Sequence, residues 1–251
     1  MSDERIALVT GANQGVGFQV AKELVKSGAT VFVGSRNFER GELAAKELGS
    51  GAIAIQLDVT DQSSIASAAE RIRKEFGRLD LLVNNAAISN TNRGEEPIQE
   101  YAKKTVASKV SLDEVRAVWE TNVFGVLAVY QAMLPLLRES SDARIVNVSS
   151  GVGSLATNAD KEFHYRKMYG PVYPASKAAL NAVTLAMMIE LEDTAIKINL
   201  VSPGFTKTAL NGFAGTESLE DGSREVVRVA LLGPHGPTNT FTRWEDTAIP
   251  W

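Results

Sequence analysis

Two side chains with complementary acid–base chemistry, Tyr173 and Lys177, stand four positions apart in the segment Tyr-Pro-Ala-Ser-Lys. On a helix this spacing places both side chains on one face, one turn apart. A phenol titrates near pH 10, but an ammonium group within about 4–6 Å stabilises the phenolate and lowers that pKa. The pair suits proton delivery to a carbonyl oxygen as hydride reaches the carbonyl carbon. Taken alone, such a pair arises by chance on many helices.

A third polar group follows the apolar run Arg-Ile-Val-Asn-Val-Ser-Ser, which ends at Ser150. A hydroxyl at the end of a strand can hold the oxygen of a reacting carbonyl, as an oxyanion hole does. We therefore predict that Ser150 holds the carbonyl oxygen to which Tyr173 gives its proton.

A glycine-rich turn, Thr-Gly-Ala-Asn-Gln-Gly-Val-Gly, directly follows the first apolar run. Glycines 11, 15 and 17 permit a tight turn, let a diphosphate approach the backbone and leave the amides of the next helix pointing at the anion. A strand-to-helix turn without a ligand uses glycine too, so the spacing is a weak signal by itself. The turn is a candidate dinucleotide site.

The second apolar run ends in Val-Gly-Ser-Arg, where a dinucleotide-binding protein that prefers NAD carries an acidic residue for the adenosine ribose. Arg36 at this place can pair in bidentate fashion with a 2′-phosphate, which favours NADP over NAD. The alternative is that Arg36 is a solvated residue at a helix start. Arg40, one turn further on, is expected at the surface.

Seven short runs rich in Val, Ile, Leu or Thr alternate with longer helical patterns, which predicts parallel strands joined by crossover helices. We predict strands at 6–10, 30–34, 53–57, 81–83, 144–148, 196–201 and 239–243, and helices that include 15–27, 63–76, 112–138 and 173–190. Two long connectors interrupt this rhythm: the first connector runs from Ser89 to Ser111 and the second from Leu155 to Met168. Long connectors in a compact domain are often functional.

The composition narrows the class of protein further. In 251 residues, 44% are hydrophobic and 22% charged, which is typical of one globular α/β domain spanning residues 1–251. The net charge of −4, with both signs interspersed, argues against nucleic-acid or anionic-membrane partners and favours a small-molecule substrate. No cysteine occurs, and the first residues do not resemble a signal peptide, so we expect a cytoplasmic protein. No apolar stretch is expected to span a membrane, because charged residues interrupt each candidate.

The histidines, the 112–138 helix and the aromatic residues near the carboxy terminus are given structural rather than catalytic roles. His164 and His235 stand in predicted loops without partners at metal-like spacing, so we predict no metal site. The 112–138 helix has apolar residues on more than one face, which fits a buried helix or a subunit interface equally. Phe241, Trp244 and Trp251 are expected to pack in the core or at an interface.

Taken together in this order, the motifs make the chain resemble the short-chain dehydrogenase/reductase family, and within it the carbonyl reductases. The resemblance spans nearly the whole chain and rests on seven landmarks: Thr-Gly-Ala-Asn-Gln-Gly-Val-Gly, Asp58-Val59, Asn-Asn-Ala-Ala at 84–87, Asn122, Ser150, Tyr-Pro-Ala-Ser-Lys, and Pro203-Gly204. It implies a Rossmann fold with a doubly wound, seven-stranded parallel sheet and helices on both faces. It also implies an NADPH-dependent reductase of ketones or aldehydes.

The resemblance assigns roles residue by residue. Ser150 positions the substrate, Tyr173 is the acid, Lys177 lowers its pKa and binds the nicotinamide ribose, and Asn122 holds a water that links Lys177 to solvent. The residues implied to bind the cofactor are Gly11, Asn13, Gln14, Gly15, Val16, Gly17, Arg36, Asp58, Val59, Asn85, Ala86, Ala87, Tyr173, Lys177, Pro203, Gly204, Thr206 and Thr208. Among these, Thr206 meets the carboxamide through its backbone and Thr208 lies near the phosphates.

Two departures from the family pattern bear on specificity. Asn-Asn-Ala-Ala replaces Asn-Asn-Ala-Gly, which adds one methyl group beside the cofactor, and the second connector separates Ser150 from Tyr173 by 23 positions. That connector borders the substrate entrance and the helices that form dimers in the family, so a homodimer, a homotetramer and a monomer all stay open. Three other functions stay open: a catalytically silent dinucleotide-binding regulator, an NAD-dependent alcohol dehydrogenase, and a sugar epimerase or dehydratase, for which the carboxy-terminal segment is short.

Overall fold

A computed structural model describes residues 5–94 and 96–251, and its centre is one twisted sheet. The strand order is β3-β2-β1-β4-β5-β6-β7-β8, and every pairing from β3 through β7 is parallel. The strands are β1 Ile6–Val9, β2 Thr30–Ser35, β3 Ala52–Gln56, β4 Leu81–Asn84, β5 Arg144–Val148, β6 Lys197–Val201, β7 Thr240–Arg243 and β8 Thr247–Ala248. The order reverses between β1 and β4, which is where ligands bind in sheets of this kind.

Helices cover both faces of the sheet. They are α1 Gly15–Lys26, α2 Phe38–Leu48, α3 Gln62–Phe76, α4 Ile98–Lys104, α5 Leu112–Trp119, α6 Gly125–Leu137, α7 Leu155–Ala159, α8 Tyr173–Glu190 and α9 Leu219–Ala230. A π-helical turn, Glu120–Phe124, joins α5 to α6, and short 3₁₀ turns occur at Gly151–Gly153, Arg166–Met168 and Ala209–Asn211.

Residues from each of strands β1 to β6 belong to two separate hydrophobic cores, one on either face of the sheet. On β1, Leu8 belongs to the core under α3, α6 and α8, whereas Ala7 and Val9 belong to the core under α1 and α9. All four residues of β1 are buried, because helices cover the sheet on both sides. The doubly wound architecture predicted from the near-continuous apolar runs is therefore confirmed.

The structure corrects the predicted elements in three places. The seven predicted strands agree with the observed ones to within one residue at each end, but the sheet has an eighth, two-residue antiparallel strand, β8. The predicted 112–138 helix contains the π-helical turn. Each connector has some helix: α4 lies in the first, and α7 in the second, where the side chain of Ser154 accepts a hydrogen bond from the N–H of Thr157.

The helical run Leu112–Leu137 is long and apolar enough to cross a membrane by length and composition, with a mean hydropathy of 1.2 in its best window. The expectation that no stretch reaches this limit is wrong for this run, because Glu120 is the only charged residue between 117 and 137. Since 61% of that window is buried within the protein, the run has the position of a core helix. Of the two earlier interpretations, the buried helix accounts for most of its apolar residues.

Among the tail aromatics, Phe241 is buried and its ring lies 6.0 Å from that of Trp251, centroid to centroid. Trp244 is 46% exposed and lies against the Arg224 guanidinium, which is 5.7 Å from its ring centroid. Phe241 therefore packs in the core and Trp244 does not, and packing of Trp244 at an interface stays a prediction.

Candidate active site

The Ser150 loop begins where β5 ends and is fixed from two sides. Ser202, after β6, accepts a hydrogen bond at its Oγ from the N–H of Gly151 at 2.9 Å. On the other side, a Cβ added to Gly153 would lie 2.8 Å from the Lys177 carbonyl carbon, so the loop packs directly on α8. These contacts hold the serine loop against the helix that carries the tyrosine and the lysine.

Tyr173 and Lys177 occupy the first two turns of α8, which begins at Tyr173. Pro174 fits this first turn because its missing N–H would have no partner there. The Tyr173 hydroxyl forms a side-chain hydrogen bond with Ser150. The Lys177 Nζ lies 5.7 Å from the Tyr173 ring centroid and donates to the Val148 carbonyl oxygen at 2.8 Å. The structure therefore brings the three predicted groups together.

Burial determines the charge of this pair. It raises the pKa of Tyr173 to about 12, against a smaller lowering by the hydrogen bond with Ser150. Burial also lowers the pKa of Lys177 to about 7, since the ammonium loses hydration and has only a carbonyl oxygen in exchange. Among the protein's own groups, the tyrosine pKa thus shifts upward, opposite to the lowering expected from the lysine. A buried lysine that loses its proton near neutrality stabilises a phenolate weakly.

Asn122 lies in the π-helical turn and is fully buried. Its amide oxygen accepts from the N–H of Ile88 at 2.9 Å, and its amide nitrogen donates to the Ile88 carbonyl at 2.8 Å and to Ser176 Oγ at 3.0 Å. Ser176 is on α8 between Tyr173 and Lys177, so Asn122 joins α8 to the chain that follows β4. The water implied between Asn122 and Lys177 stays a prediction.

The glycine turn has the backbone that its residue types predict. Gly11 and Gly15 have φ of +63° and +62°, in the left-handed region that favours glycine. A Cβ on Gly17 would lie 2.3 Å from the amide nitrogen of Asn85 and 2.6 Å from the Gly11 carbonyl oxygen. Among the described residues, no side chain caps the first turn of α1 at Gln14, which leaves its amides available to an anion.

The segment after β4 supports that turn. Asn85 donates from its side chain to the carbonyl oxygens of Thr10 and Gly11, at 2.9 and 3.2 Å. Thr10 Oγ1 in turn accepts the N–H groups of Asn85 and Ala86. Asn85 therefore holds the turn in shape, a role that the sequence did not indicate. Ala86 packs on Gly11, and Ala87 is half-buried beside it.

The loop of residues 203–217, which starts at Pro203 after β6, lies against the glycine turn. A Cβ on Gly15 would be 3.6 Å from the Thr208 methyl group, so Thr208 lies beside the turn, and its position near the phosphates stays a prediction. The N–H of Thr206 donates to the Gly204 carbonyl at 2.7 Å, and its carbonyl accepts from Asn211 at 2.8 Å. The implied contact of Thr206 with a carboxamide would compete with these bonds.

Residues for the adenosine end follow β2 and β3. Arg36 is exposed just after β2, and Arg40 on α2 lines a surface cavity of about 320 Å³ together with Asn13 and Gln14. Arg40 is exposed, as expected, and the cavity brings it beside Asn13 and Gln14 of the glycine turn. Asp58, after β3, accepts the N–H and hydroxyl of Thr60, and Val59 beside it is buried. The half-buried Val16 packs at the edge of the α1 core.

Two buried groups behind the site escaped the sequence analysis. Ser149 donates to the side-chain oxygen of Asn181 at 2.5 Å, and the Asn181 amide donates to the Gly153 carbonyl at 3.3 Å. They tie the serine loop to α8 a turn beyond Lys177. The available signal was Asn181, a polar residue at a position of α8 that the helical spacing assigns to the core. His164 and His235 are exposed, and within 5–94 and 96–251 no cluster of three metal-ligating side chains occurs.

The fold, and this arrangement of serine, tyrosine and lysine beside a glycine turn, are those expected of a dehydrogenase-type oxidoreductase. The sequence model of the short chain dehydrogenase family matches residues 5–218. A short-chain dehydrogenase of Penicillium roqueforti, anuI, is 38% identical over 250 residues, which cover 96% of this chain and 93% of that protein. The chain belongs to the short-chain dehydrogenase family.

Solved structures agree with this assignment. Salutaridine reductase from Papaver somniferum matches with a TM-score of 0.79 and 29% identity, covering 95% of this chain and 99% of that one. An NADPH-bound carbonyl reductase from chicken fatty liver matches with a TM-score of 0.79 and 26% identity, covering 99% of both chains. The similarity to carbonyl reductases inferred from the motifs is confirmed.

Proposed function

We propose that this protein reduces a ketone or an aldehyde to an alcohol with NADPH. The observation that carries the proposal is the convergence of three groups at the carboxyl edge of the sheet. The Ser150 hydroxyl is hydrogen-bonded to Tyr173, and Lys177 lies one turn away on the same helix. The relatives named as salutaridine reductase and carbonyl reductase support a carbonyl substrate.

In the proposed reaction, hydride reaches the carbonyl carbon and a proton reaches its oxygen, which converts the carbonyl to a hydroxyl. NADPH, when bound, supplies the hydride. The Ser150 hydroxyl holds the carbonyl oxygen within reach of Tyr173. Because its pKa is about 12, Tyr173 is protonated at neutral pH and gives the proton from its hydroxyl. Lys177, protonated below about pH 7, favours that loss by its positive charge. Asn122 holds the chain after β4 against α8.

The residues present fit a dinucleotide phosphate. The uncapped first turn of α1 offers amides to the diphosphate, and the positive φ of Gly15 leaves the backbone bare there. Arg36, exposed after β2, and Arg40, beside the cavity with Asn13, would meet a 2′-phosphate. The positions of these arginines are the reason to propose NADPH over NADH.

The test is Tyr173→Phe, assayed as NADPH consumption over a panel of ketones, aldehydes and quinones. We expect the unmodified protein to reduce at least one of them and the variant to lose about 10²–10⁴-fold in kcat, the usual contribution of a positioned acid. NADPH affinity by fluorescence titration should change less than about twofold. Tyr130→Phe, which removes a hydroxyl that bonds Glu190 at the far end of α8, is the matched control and should keep full activity. Substantial turnover by Tyr173→Phe would refute the acid.

A further inference from the structure

Glu114 on α5 is a buried carboxylate that the proposed reaction does not use. Its side chain is 4% exposed, although it belongs to a short helix at the edge of the polar first connector. A buried carboxylate is costly unless hydrogen bonds replace its lost hydration. All of the partners that replace water here come from the first connector.

Four donors of that connector converge on the two Glu114 oxygens. One oxygen accepts the N–H of Thr91 at 2.7 Å and the Tyr101 hydroxyl at 2.6 Å. The other accepts the Asn92 amide at 2.7 Å and the hydroxyl of Thr91. Three of these donors, from Thr91 and Asn92, lie at the start of the connector, and the fourth, Tyr101, lies on α4 in its middle, so one carboxylate fastens both parts to α5.

The connector that Glu114 fastens borders both sides of the site. At its beginning, Ser89 Oγ donates to the Leu210 carbonyl at 2.5 Å, and Arg93 reaches so close to Gly212 that a Cβ there would lie 2.5 Å from its guanidinium. At its end, a Cβ on Gly170 would lie 3.3 Å from the Thr105 carbonyl oxygen. The connector thus extends from the 203–217 loop to the chain just before Tyr173.

The chain that Glu114 holds lies close to the chain that Asn122 holds, because two residues separate Thr91 from Ile88. Ile88, whose N–H and carbonyl both bind the Asn122 side chain, is followed by Ser89 on the 203–217 loop and then by Thr91 on Glu114. Asn122 and Leu210 therefore hold the chain as far as Ser89, and Glu114 holds it from Thr91 onward.

We propose that Glu114 is a positioning residue for the substrate, because it fixes the first connector as one wall of the substrate cleft. The inference rests on the proposed function, since it concerns how a carbonyl substrate is oriented over Ser150 and Tyr173. The pKa of Glu114 is consistent with an ionised anchor: burial alone would raise it, but the hydrogen bonds from Thr91 and Tyr101 outweigh burial and lower it. Its neighbour Asp113, by contrast, is exposed and forms an ion pair with Arg116.

The experiment compares Glu114→Ala, Glu114→Gln and Tyr101→Phe with Asp113→Asn as the matched control. One arm measures limited trypsin cleavage of the free protein, mapped by mass spectrometry, because Arg93, Lys103, Lys104 and Lys109 all lie in the connector. The other arm measures KM, kcat and the stereoisomer ratio of the alcohol from the best prochiral ketone of the panel. Thermal unfolding and NADPH affinity report on folding and on the cofactor site.

We expect Glu114→Ala to raise the rate of cleavage within the connector and the substrate KM by about tenfold and to change the stereoisomer ratio. The change in kcat should stay below about threefold, with NADPH affinity unaltered, because Asn122 still holds Ile88 and Leu210 still holds Ser89 in this variant. Glu114→Gln and Tyr101→Phe, which remove fewer acceptors or donors, should shift the same quantities less. Asp113→Asn should behave as the unmodified protein.

Unchanged cleavage in all three variants would overturn the inference, as would faster cleavage with an unaltered KM and stereoisomer ratio. If Glu114→Ala did not fold, Glu114→Gln and Tyr101→Phe would decide the matter by the same readouts. A protein that reduced no carbonyl would instead refute the proposed function, and the trypsin arm would still decide whether Glu114 holds the connector.

Discussion

At the scale of single residues, the site places two ionisable groups where burial shifts both pKa values toward their neutral forms. Tyr173 stays a phenol, and Lys177 has its pKa near 7, because each loses hydration without gaining a charged partner. The protonation state of Lys177 therefore changes in the range where the protein would work. Reduction needs a proton, so the protonated form is the useful one.

This gives a pH prediction. As the pH rises through about 7, Lys177 loses its charge, and kcat for reduction should fall because the neutral amine no longer favours proton release from Tyr173. Lys177→Met should lower kcat by about 10²-fold or more and abolish this inflection. The measurement is the pH dependence of kcat between pH 5 and 9 at saturating NADPH. An inflection that persisted near pH 7 in Lys177→Met would assign the titration to another group.

A second residue-scale prediction concerns Arg36. Because a guanidinium–phosphate pair adds about 1.5–3 kcal/mol, Arg36→Ala should raise KM for NADPH about 10–100-fold and leave KM for NADH unchanged. Arg40→Ala should act in the same direction, since Arg40 lines the cavity beside Asn13. Arg116→Ala, at an exposed arginine of α5, is the control. Equal use of both cofactors by the unmodified protein would exclude phosphate recognition by Arg36.

At the scale of elements, the sequence predicts those structures that local pattern determines. The strands are predicted to within a residue because β-branched runs such as Ile-Val-Asn-Val are buried on both faces and end at turn residues. The π-helical turn at Glu120–Phe124 is not predicted from the sequence, because its residues continue the helical period. The bonds of Asn122 in this turn go to Ile88, which is far away in the sequence and follows β4. The burial of Glu114 is likewise set by Thr91 and Tyr101, which only the folded chain brings near.

The glycine turn supplies a prediction at this scale. Gly17→Ala places a methyl group 2.3 Å from the Asn85 amide and 2.6 Å from the Gly11 carbonyl, so the turn and its support must separate. We expect the free energy of unfolding to fall by about 1–3 kcal/mol, as in overpacked cores, together with a loss of NADPH affinity. Gly233→Ala is the control, since a Cβ there meets nothing within 4 Å. Urea unfolding measures the free energy of unfolding, and cofactor titration measures the affinity for NADPH. An unchanged NADPH affinity in Gly17→Ala would show that Gly17 is not part of the cofactor site.

At the scale of the whole molecule, the end of the sheet opposite the site is held by a buried arginine. Arg144, the first residue of β5, is fully buried and donates to Asn199 Oδ1, the Pro237 carbonyl and the Gly233 carbonyl at 2.7, 2.9 and 3.1 Å. Within residues 5–94 and 96–251 no carboxylate lies within ion-pair distance of it, and burial lowers its pKa. It fixes the turn between α9 and β7.

Arg144→Met should therefore lower the free energy of unfolding by about 2–4 kcal/mol, because it leaves several buried acceptors without donors. Activity of the folded protein should be unchanged, since Arg144 and Ser150 stand at opposite ends of β5. Arg116→Met is the exposed control. Chemical unfolding followed by circular dichroism gives the measurement, and a loss below about 0.5 kcal/mol would show that solvent replaces the guanidinium.

The overall architecture could be predicted because the alternation of runs along the whole chain specifies a doubly wound sheet. Contacts between residues that are distant in the sequence could be predicted only where a known motif specifies both partners, as it does for Ser150, Tyr173 and Lys177. Asn85 on the glycine turn, and Asn181 on the serine loop, join segments separated by many residues. No local pattern encodes such distant pairs, so their roles required coordinates.

The reversal of strand order between β1 and β4 has a consequence for engineering this enzyme. Arg36, proposed to bind the 2′-phosphate, follows β2 on one side of that boundary, whereas the first connector, proposed to border the substrate, follows β4 on the other. Redesign of the 2′-phosphate contact and redesign of substrate scope would therefore fall in separate halves of one scaffold. The free-energy effects of substitutions in the two halves should add where the residues share no contacts. Variants of each half can therefore be selected separately and then combined.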